Sequence, residues 1–257
     1  MKNKIRFTFG LLLAGLLAAA WRIFQDREQE RVPSPESMDS PTVAAGFNRV
    51  AGWPQMRLLR WYVVRRIKHL AQQGEAVDIG CGPGHLIFDL ARQMPDLQLT
   101  GVDISDEVLE QAEACAAQSG FGERVCFKKG SAQALPFPDR SFDLVISTLS
   151  LHHWSEPVAV LDEVARIVRP GGAFLIFDLR RDMAAPFYMP LWFATNFVVP
   201  QALRQVNEPL GSRDAAYSLK EATQLLERST LSNLRRVPNV PAGQLRGYRV
   251  TRQGMRV

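Results

Sequence analysis

The sequence predicts an α/β fold: a doubly wound, mostly parallel sheet with helices on both faces and an antiparallel C-terminal edge. Three observations predict it. A short apolar strand, Glu75 to Ile79, runs into glycines at alternate positions, Gly80, Gly82 and Gly84, and then into a run from His85 to Gln93 with the helical spacing Leu86, Leu90, Met94. A second strand, Gln98 to Val102, ends on Asp103, and the helical run Val108 to Ala117 follows it. A third, Phe142 to Ile146, leads into the loop Ser147 to Trp154, and a further strand spans Ala173 to Leu179. Two last strands, near Leu231 to Val237 and Gly247 to Arg252, close the antiparallel edge.

The glycine turn is the most informative element. It falls at a strand-to-helix crossing, where missing Cβ atoms let the backbone approach a ligand and the helix start presents free N–H groups. A dinucleotide fingerprint needs G-x-G-x-x-G, which would put the third glycine at position 85; His85 stands there and Gly84 comes one residue early. Asp103 lies about 20 residues beyond the glycines, where an acid accepts from both hydroxyls of a ribose. A helix-capping role is not needed of it, because Ser105 with Asp106 and Glu107 supplies a cap.

Five motifs in order now carry a resemblance: Val77-Asp78-Ile79-Gly80-Cys81-Gly82-Pro83-Gly84, Gly101-Val102-Asp103-Ile104-Ser105, Ala134 through Asp143, Ser150-Leu151-His152-His153-Trp154 and Arg169-Pro170-Gly171-Gly172. Together they resemble the class I S-adenosylmethionine-dependent methyltransferases, in particular the small-molecule group that includes quinone-biosynthesis enzymes. The resemblance implies a Rossmann-like seven-stranded sheet and S-adenosylmethionine as cofactor. It implies that Asp78 and the turn Gly80, Cys81, Gly82 and Gly84 hold the methionine end, that Asp103 takes the ribose, and that Ile104 lines the adenine. Ser131 and Ala132 stand where the family commonly has Asp-Ala, so the adenine amino group would meet a hydroxyl without charge assistance. Ser147 would complete the cofactor contacts.

The loop after Phe142 to Ile146 falls at the carboxyl edge, where open α/β sheets bind ligands. His152 or His153 is the candidate catalytic base, deprotonating a phenol or a carbon acid; the other reading makes both packing residues of the loop. Adjacent side chains are expected to point apart, so that at most one faces the acceptor. The Asn/Asp-Pro-Pro-Tyr/Phe signature of base-modifying amino methyltransferases is absent.

The chain has 257 residues, 46% of them hydrophobic, enough for one full core. Cys81, Cys115 and Cys126 show no C-x-x-C spacing, so neither a disulfide framework nor a metal site is expected. Charge is uneven. Residues 1–70 carry 12 Lys/Arg against 5 Asp/Glu, residues 71–227 carry 12 against 21, and residues 228–257 carry 7 against none. An acidic centre with basic ends poor in aromatic interleaving argues against a nucleic-acid partner and for a membrane surface.

Residues 1–32 read as a membrane anchor or signal segment. Phe7 to Trp21 is 15 residues without a charge, a helix of about 22 Å against a hydrocarbon core of about 30 Å. Ala18-Ala19-Ala20 offers the rival reading of a cleavage site and export. The methyl donor is made in the cytosol, which favours an uncleaved anchor with the domain on the cytosolic side. Residues 33–46 read as a flexible linker and 47–257 as the methyltransferase domain. The resemblance implies that Phe47 to Trp53, followed by a helix from Pro54 to Gln72 with Met56, Leu59, Val63 and Ile67 on one side, leans over the cofactor site as an N-terminal cover; the other reading is an ordinary amphipathic helix packed on the sheet. The charge-free stretch Phe187 to Pro200 lines an apolar pocket, dips into a bilayer or fills core. A capping box, Ser218 with Glu221, starts the helix after it.

The expected function is methyl transfer to a small lipophilic or aromatic acceptor at the membrane surface. A non-catalytic S-adenosylmethionine-binding regulatory domain on a membrane anchor is the alternative. Oligomeric state is not legible.

Overall fold

The computed structural model describes residues 30–33, 40–183, 185–233 and 245–249. Among these residues one sheet holds six strands: β1 (Gly74–Ile79), β2 (Leu97–Asp103), β3 (Val125–Lys129), β4 (Phe142–Thr148), β5 (Val168–Phe177) and β6 (Leu245–Arg249). Their order is β3-β2-β1-β4-β5-β6, the first five parallel and β6 antiparallel to β5. The doubly wound α/β class is as expected; the strand count is six rather than seven. β6 is the later of the two expected edge strands. The earlier one, near Leu231 to Val237, begins as a helical turn, Thr230–Asn233, and continues outside the described residues. The turn has a local cause: Asp162 accepts from the amide and the hydroxyl of Thr230 at 2.7 and 2.9 Å, and Leu231 is buried beneath it.

The sheet is covered on both faces, so its central strands are apolar on both sides. Ala76, Leu144, Ile146 and Leu175 face one core with Ile67, Leu86, Ile87 and Leu90. Val77, Ile79, Val145 and Phe174 alternate onto the other, with Val160, Leu161 and Val164. The helices up to β5 are α1 (Pro41–Ala51), α2 (Pro54–Ile67), α3 (His85–Gln93), α4 (Asp106–Ser119) and α5 (Pro157–Ile167), of which α2, α3 and α5 supply the residues just named. Ser105 caps α4 by accepting from the Val108 amide at 3.4 Å. After β5 come α6 (Ala185–Phe193), a π-helical turn Ala194–Val198, α7 (Gln201–Gln205), α8 (Leu210–Ala215) and α9 (Leu219–Arg228), whose Ser218–Glu221 capping box forms in full.

Two sequence expectations change at the N-terminal side. The linker expected through residue 46 is helical from Pro41, because Val43 has core to reach: it is buried against Val199 and Leu203, with Phe47, Val50 and Trp53 around them. The helix expected to Gln72 stops at Ile67, and Val63, Val64 and Ile67 pack it on the sheet side. Arg60 fixes its position through Asp89 of α3 at 2.7 Å. The apolar run Phe7 to Trp21 lies outside the described residues; among those described, no helix is long and apolar enough to cross a membrane.

The strand order reverses between β1 and β4, since the chain moves outward through β2 and β3 before crossing back. At such a switch point the loops after neighbouring strands diverge and open a crevice at the carboxyl edge. The glycine turn after β1 and the histidine loop after β4 flank it.

Candidate active site

The turn after β1 is left-handed at Gly80, Gly82 and Gly84, with φ of +70°, +53° and +77°. Gly80 is required twice over: its φ disfavours a side chain, and a Cβ there would run into the Ser150 hydroxyl. Gly82 differs, since nothing lies within 4 Å of where its Cβ would be. It is the open floor of a cradle. The amides of Gly80 and Cys81 donate to the Val102 carbonyl at 2.8 and 3.0 Å, hooking the turn over the end of β2. The Gly82 amide donates to Asp103 at 2.9 Å.

Asp78 lies under this turn, 2% exposed, and neither carboxylate oxygen has a hydrogen-bond partner. Burial, with the nearby Asp103 charge, pushes its pKa well above the ordinary carboxylate range. A buried carboxylate without a donor is costly unless a ligand supplies one. The ammonium of the methionine end of S-adenosylmethionine is such a donor, so the residues fit the cofactor that the resemblance implies. Cys81 is buried beside it and its thiol pKa is raised by burial, which keeps it a neutral packing group.

The ribose and adenine candidates stand at the ends of β2 and β3. Asp103 accepts from the Gly82 amide through one oxygen and from the Ser105 amide, at 3.1 Å, through the other. Each oxygen keeps a lone pair for a ribose hydroxyl. Ile104 is 62% exposed, an apolar side chain at the rim where an adenine face would cover it. Ser131 is half-buried and its hydroxyl accepts from the Gln133 amide at 3.3 Å, while Ala132 packs against the core. Ser147 behaves differently from its expected cofactor contact. It is 1% exposed and its hydroxyl donates to the Ile79 carbonyl at 2.8 Å, pinning β4 to the end of β1.

The loop after β4 turns at Leu149 (φ +55°), and Ser150, against Gly80, accepts from the Trp154 indole at 3.1 Å. His152 follows, 3% exposed, with Nδ1 2.7 Å from Asp178 Oδ1 and its amide donating to Oδ2 at 2.8 Å. Because the carboxylate accepts, Nδ1 carries the hydrogen, and Nε2, buried without a partner, keeps its lone pair. His153 is half-buried; burial, then the His152 charge, lowers its pKa to about 4, so it is neutral near pH 7. The two rings do not point apart: a 3₁₀ turn separates successive side chains by about 120° rather than 180°, and the centroids are 4.1 Å from each other.

Sequence reasoning missed several residues that the fold brings here. Asp178 is an acid directly after the apolar run of β5, the same signal that singled out Asp103 after β2. Glu208, 1% exposed, accepts from the Ser212 hydroxyl at 2.6 Å, and burial raises its pKa. Asn48 of α1 bridges His85 Nε2 at 2.7 Å and Gln111 of α4 at 2.8 Å. Within the segment expected as a cover, it is the Asn48 end of α1 that reaches the crevice edge, while the helix from Pro54 packs on the sheet side. Arg31 donates to the His152 carbonyl at 3.0 Å and the Ala215 carbonyl at 2.7 Å. No local pattern marks Glu208 or Arg31, whereas Asn48 falls in the segment expected as a cover.

Comparison with known proteins gives the same reading. Residues 77–176 match the family described as a methyltransferase domain. The 27-O-demethylrifamycin SV methyltransferase of Amycolatopsis mediterranei is 38% identical over 102 residues, 40% of this chain and 37% of that protein. The demethylmenaquinone methyltransferase of Porphyromonas gingivalis is 28% identical over 62% of this chain and 69% of its own length. Other curated relatives are spanned over 40% and 39% of their lengths, so the likeness centres on this domain. Among solved structures, an S-adenosylmethionine-dependent methyltransferase fold from Methanococcus maripaludis superposes with a TM-score of 0.61 at 19% identity, over 82% of this chain and 94% of that one. Residues 77–176 accordingly carry a methyltransferase domain, on a fold shared with solved S-adenosylmethionine-dependent methyltransferases.

Proposed function

We propose that the chain transfers a methyl group from S-adenosylmethionine to a small lipophilic or aromatic acceptor at a membrane surface, with the domain on the cytosolic side of an N-terminal anchor. One observation carries the reading: the partnerless Asp78 carboxylate under the glycine turn and the His152–Asp178 pair meet at one crevice, joined by Ser150. When bound, the cofactor supplies a methyl group already activated on a positive sulfur. The chain's own task is then mainly to align acceptor and donor and to exclude water.

Asp78 and the turn hold the amino-acid end, Asp103 orients the ribose, and Ile104 with Ser131 and Ala132 flanks the adenine. His152, held by Asp178, presents Nε2 to take the proton of an acceptor hydroxyl or acidic carbon, and Asp178 stabilises the imidazolium that results. His153, kept neutral by burial, packs behind it. The lipophilic class is supported by the charge-free insert after β5 and by the relative named demethylmenaquinone methyltransferase.

Calorimetry with S-adenosylmethionine and its demethylated product, followed by turnover against phenols, quinones and lipids in vesicles, tests this. Donor binding with methylation of at least one lipophilic acceptor is the expected result. Donor binding without turnover on any acceptor would favour a regulatory domain, and a mature N-terminus at Trp21 would overturn the cytosolic placement.

A further inference from the structure

The surface of α6 and the turn after it supplies none of the residues assigned above to the cofactor or to the histidine loop. From Met183 to Leu203 the chain carries no charged residue. Phe187, Met189, Phe193, Phe197 and Val198 are each at least half exposed, and Trp192 is 39% exposed. Phe197 meets Trp192 edge-to-face and Phe193 at a tilt, with ring centroids 5.9 and 5.2 Å apart, so these side chains form one aromatic face. Its underside is docked: Thr195 is buried, and Val199 and Leu203 pack on Val43. A helix that is apolar all round belongs in a core or in lipid, and here the outer side has no protein against it among the described residues.

The strap formed by residues 30–33 says what covers it. Arg31 is seated by the Ala215 and His152 carbonyls and lies over the Tyr217 ring at 4.3 Å, while the Val32 amide donates to the Asp214 carbonyl at 3.2 Å. The neighbouring Arg213 lies over the Tyr188 ring at 5.1 Å, and Tyr188 sits between Phe187 and Met189. Strap and aromatic face are thus two contacts apart. The uncharged run Phe7 to Trp21 ends ten residues before Arg31, a reach of at most about 35 Å. Any bilayer entered by that run is held close to α6.

We propose that the aromatic face of α6 and its π-helical turn is a second membrane contact. Phe187, Met189, Trp192, Phe193 and Phe197 enter the headgroup–acyl boundary of the phospholipid leaflet nearest the N-terminal run, with the exposed Arg204 at the rim facing anionic headgroups. The inference rests on the membrane-surface reading and adds the part of the domain that touches lipid. A run of about 22 Å is a marginal span, and stable attachment commonly takes two signals. The contact also sets the histidine loop, held by the same strap, beside the leaflet in which a lipophilic acceptor dissolves.

The test uses the full chain with phosphatidylcholine–phosphatidylglycerol vesicles whose acyl chains carry bromine near the headgroup. Brominated lipid should quench a fraction of the tryptophan emission that Trp192→Phe lacks. Phe187→Glu with Phe193→Glu should cut turnover of a vesicle-dissolved quinol at least tenfold, on the order of one lost buried aromatic, with donor affinity and turnover of a water-soluble phenol unchanged. Equal quenching in wild type and Trp192→Phe overturns the proposal. So does a dimer in sedimentation that Phe193→Glu dissociates, which would make a second copy the occupant, or Trp192 shielded from iodide without vesicles, which would make it this chain's own N-terminal run. The quenching needs no catalysis: loss of donor binding or of all turnover with quenching intact would sink the functional reading and leave the contact standing.

Discussion

At the scale of single residues, Asp78 is a group whose charge is favourable only with a ligand. Burial raises its folded pKa, so the protein without ligand loses stability as pH rises above the ordinary carboxylate value of about 4. Asp78→Asn should melt higher than wild type without ligand at pH 7, the gap closing toward pH 4, while its affinity for S-adenosylmethionine falls roughly ten- to hundredfold through loss of a charge-assisted bond. Melting curves across pH, paired with calorimetry, read both. An Asn variant that melts lower and binds as well would remove Asp78 from the cofactor site. His153 has the opposite linkage: its pKa drops from 6.5 to about 4 on folding, so stability present above pH 6.5 is lost as pH falls toward 4. His153→Gln should flatten the melting temperature across that window and leave it unchanged at pH 8.

The histidine pair also separates chemistry from packing. Asp178→Asn leaves a side chain of the same size but removes the charge and one of the two accepting oxygens, so that an NH2 group faces either Nδ1 or the amide of His152. The acid limb of the pH–rate profile should move and kcat should fall about a hundredfold, the usual worth of a positioned base, with donor affinity unchanged. The charged and polar groups that face His152 are Asp178, His153 and Glu208. An unaltered profile would assign His152 to packing.

At the scale of elements, the site is an assembly of strand ends held together by cross-links. Ser147 pins β4 to β1, the Asp103 carboxylate pins the glycine turn to β2, and Asn48 ties α1 across α3 and α4. The strap adds an N-terminal clamp on the histidine loop. Arg31→Ala should lower kcat several-fold with little change in donor affinity, and cost about 1–3 kcal/mol of stability from two bonds to backbone carbonyls. Arg31→Lys should recover little, because an ammonium cannot fork to both carbonyls and lie over Tyr217. Steady-state kinetics with denaturant melts would show it; a KM effect confined to the donor would place the strap elsewhere in function.

At the scale of the whole molecule, the parts legible in the sequence were those whose cause is local. Strand ends, the spacing that puts His85 where a dinucleotide site needs glycine, the Ser105 cap and the Ser218–Glu221 capping box depend on neighbours within a few residues, and all took the expected form. The linker through residue 46 and the direction of the two histidines were misread because tertiary partners decide them. Val43 becomes helical core only because Val199 and Leu203 arrive from a segment more than 150 residues on. The six-stranded order and the crevice between β1 and β4 likewise emerge only from pairing across the sheet.

The sequence by itself determined the cradle: glycines that need left-handed backbone and an acid at the next strand end are local requirements, written residue by residue, and the order of the later motifs supplied the resemblance that implies the donor. Tertiary structure alone decided what surrounds the histidine loop. Asp178 behind His152, Arg31 on the loop carbonyl, α1 over the crevice and an aromatic face turned outward are juxtapositions of segments 26 to 184 residues apart. Their energetics depend on burial and distance, which no local pattern encodes.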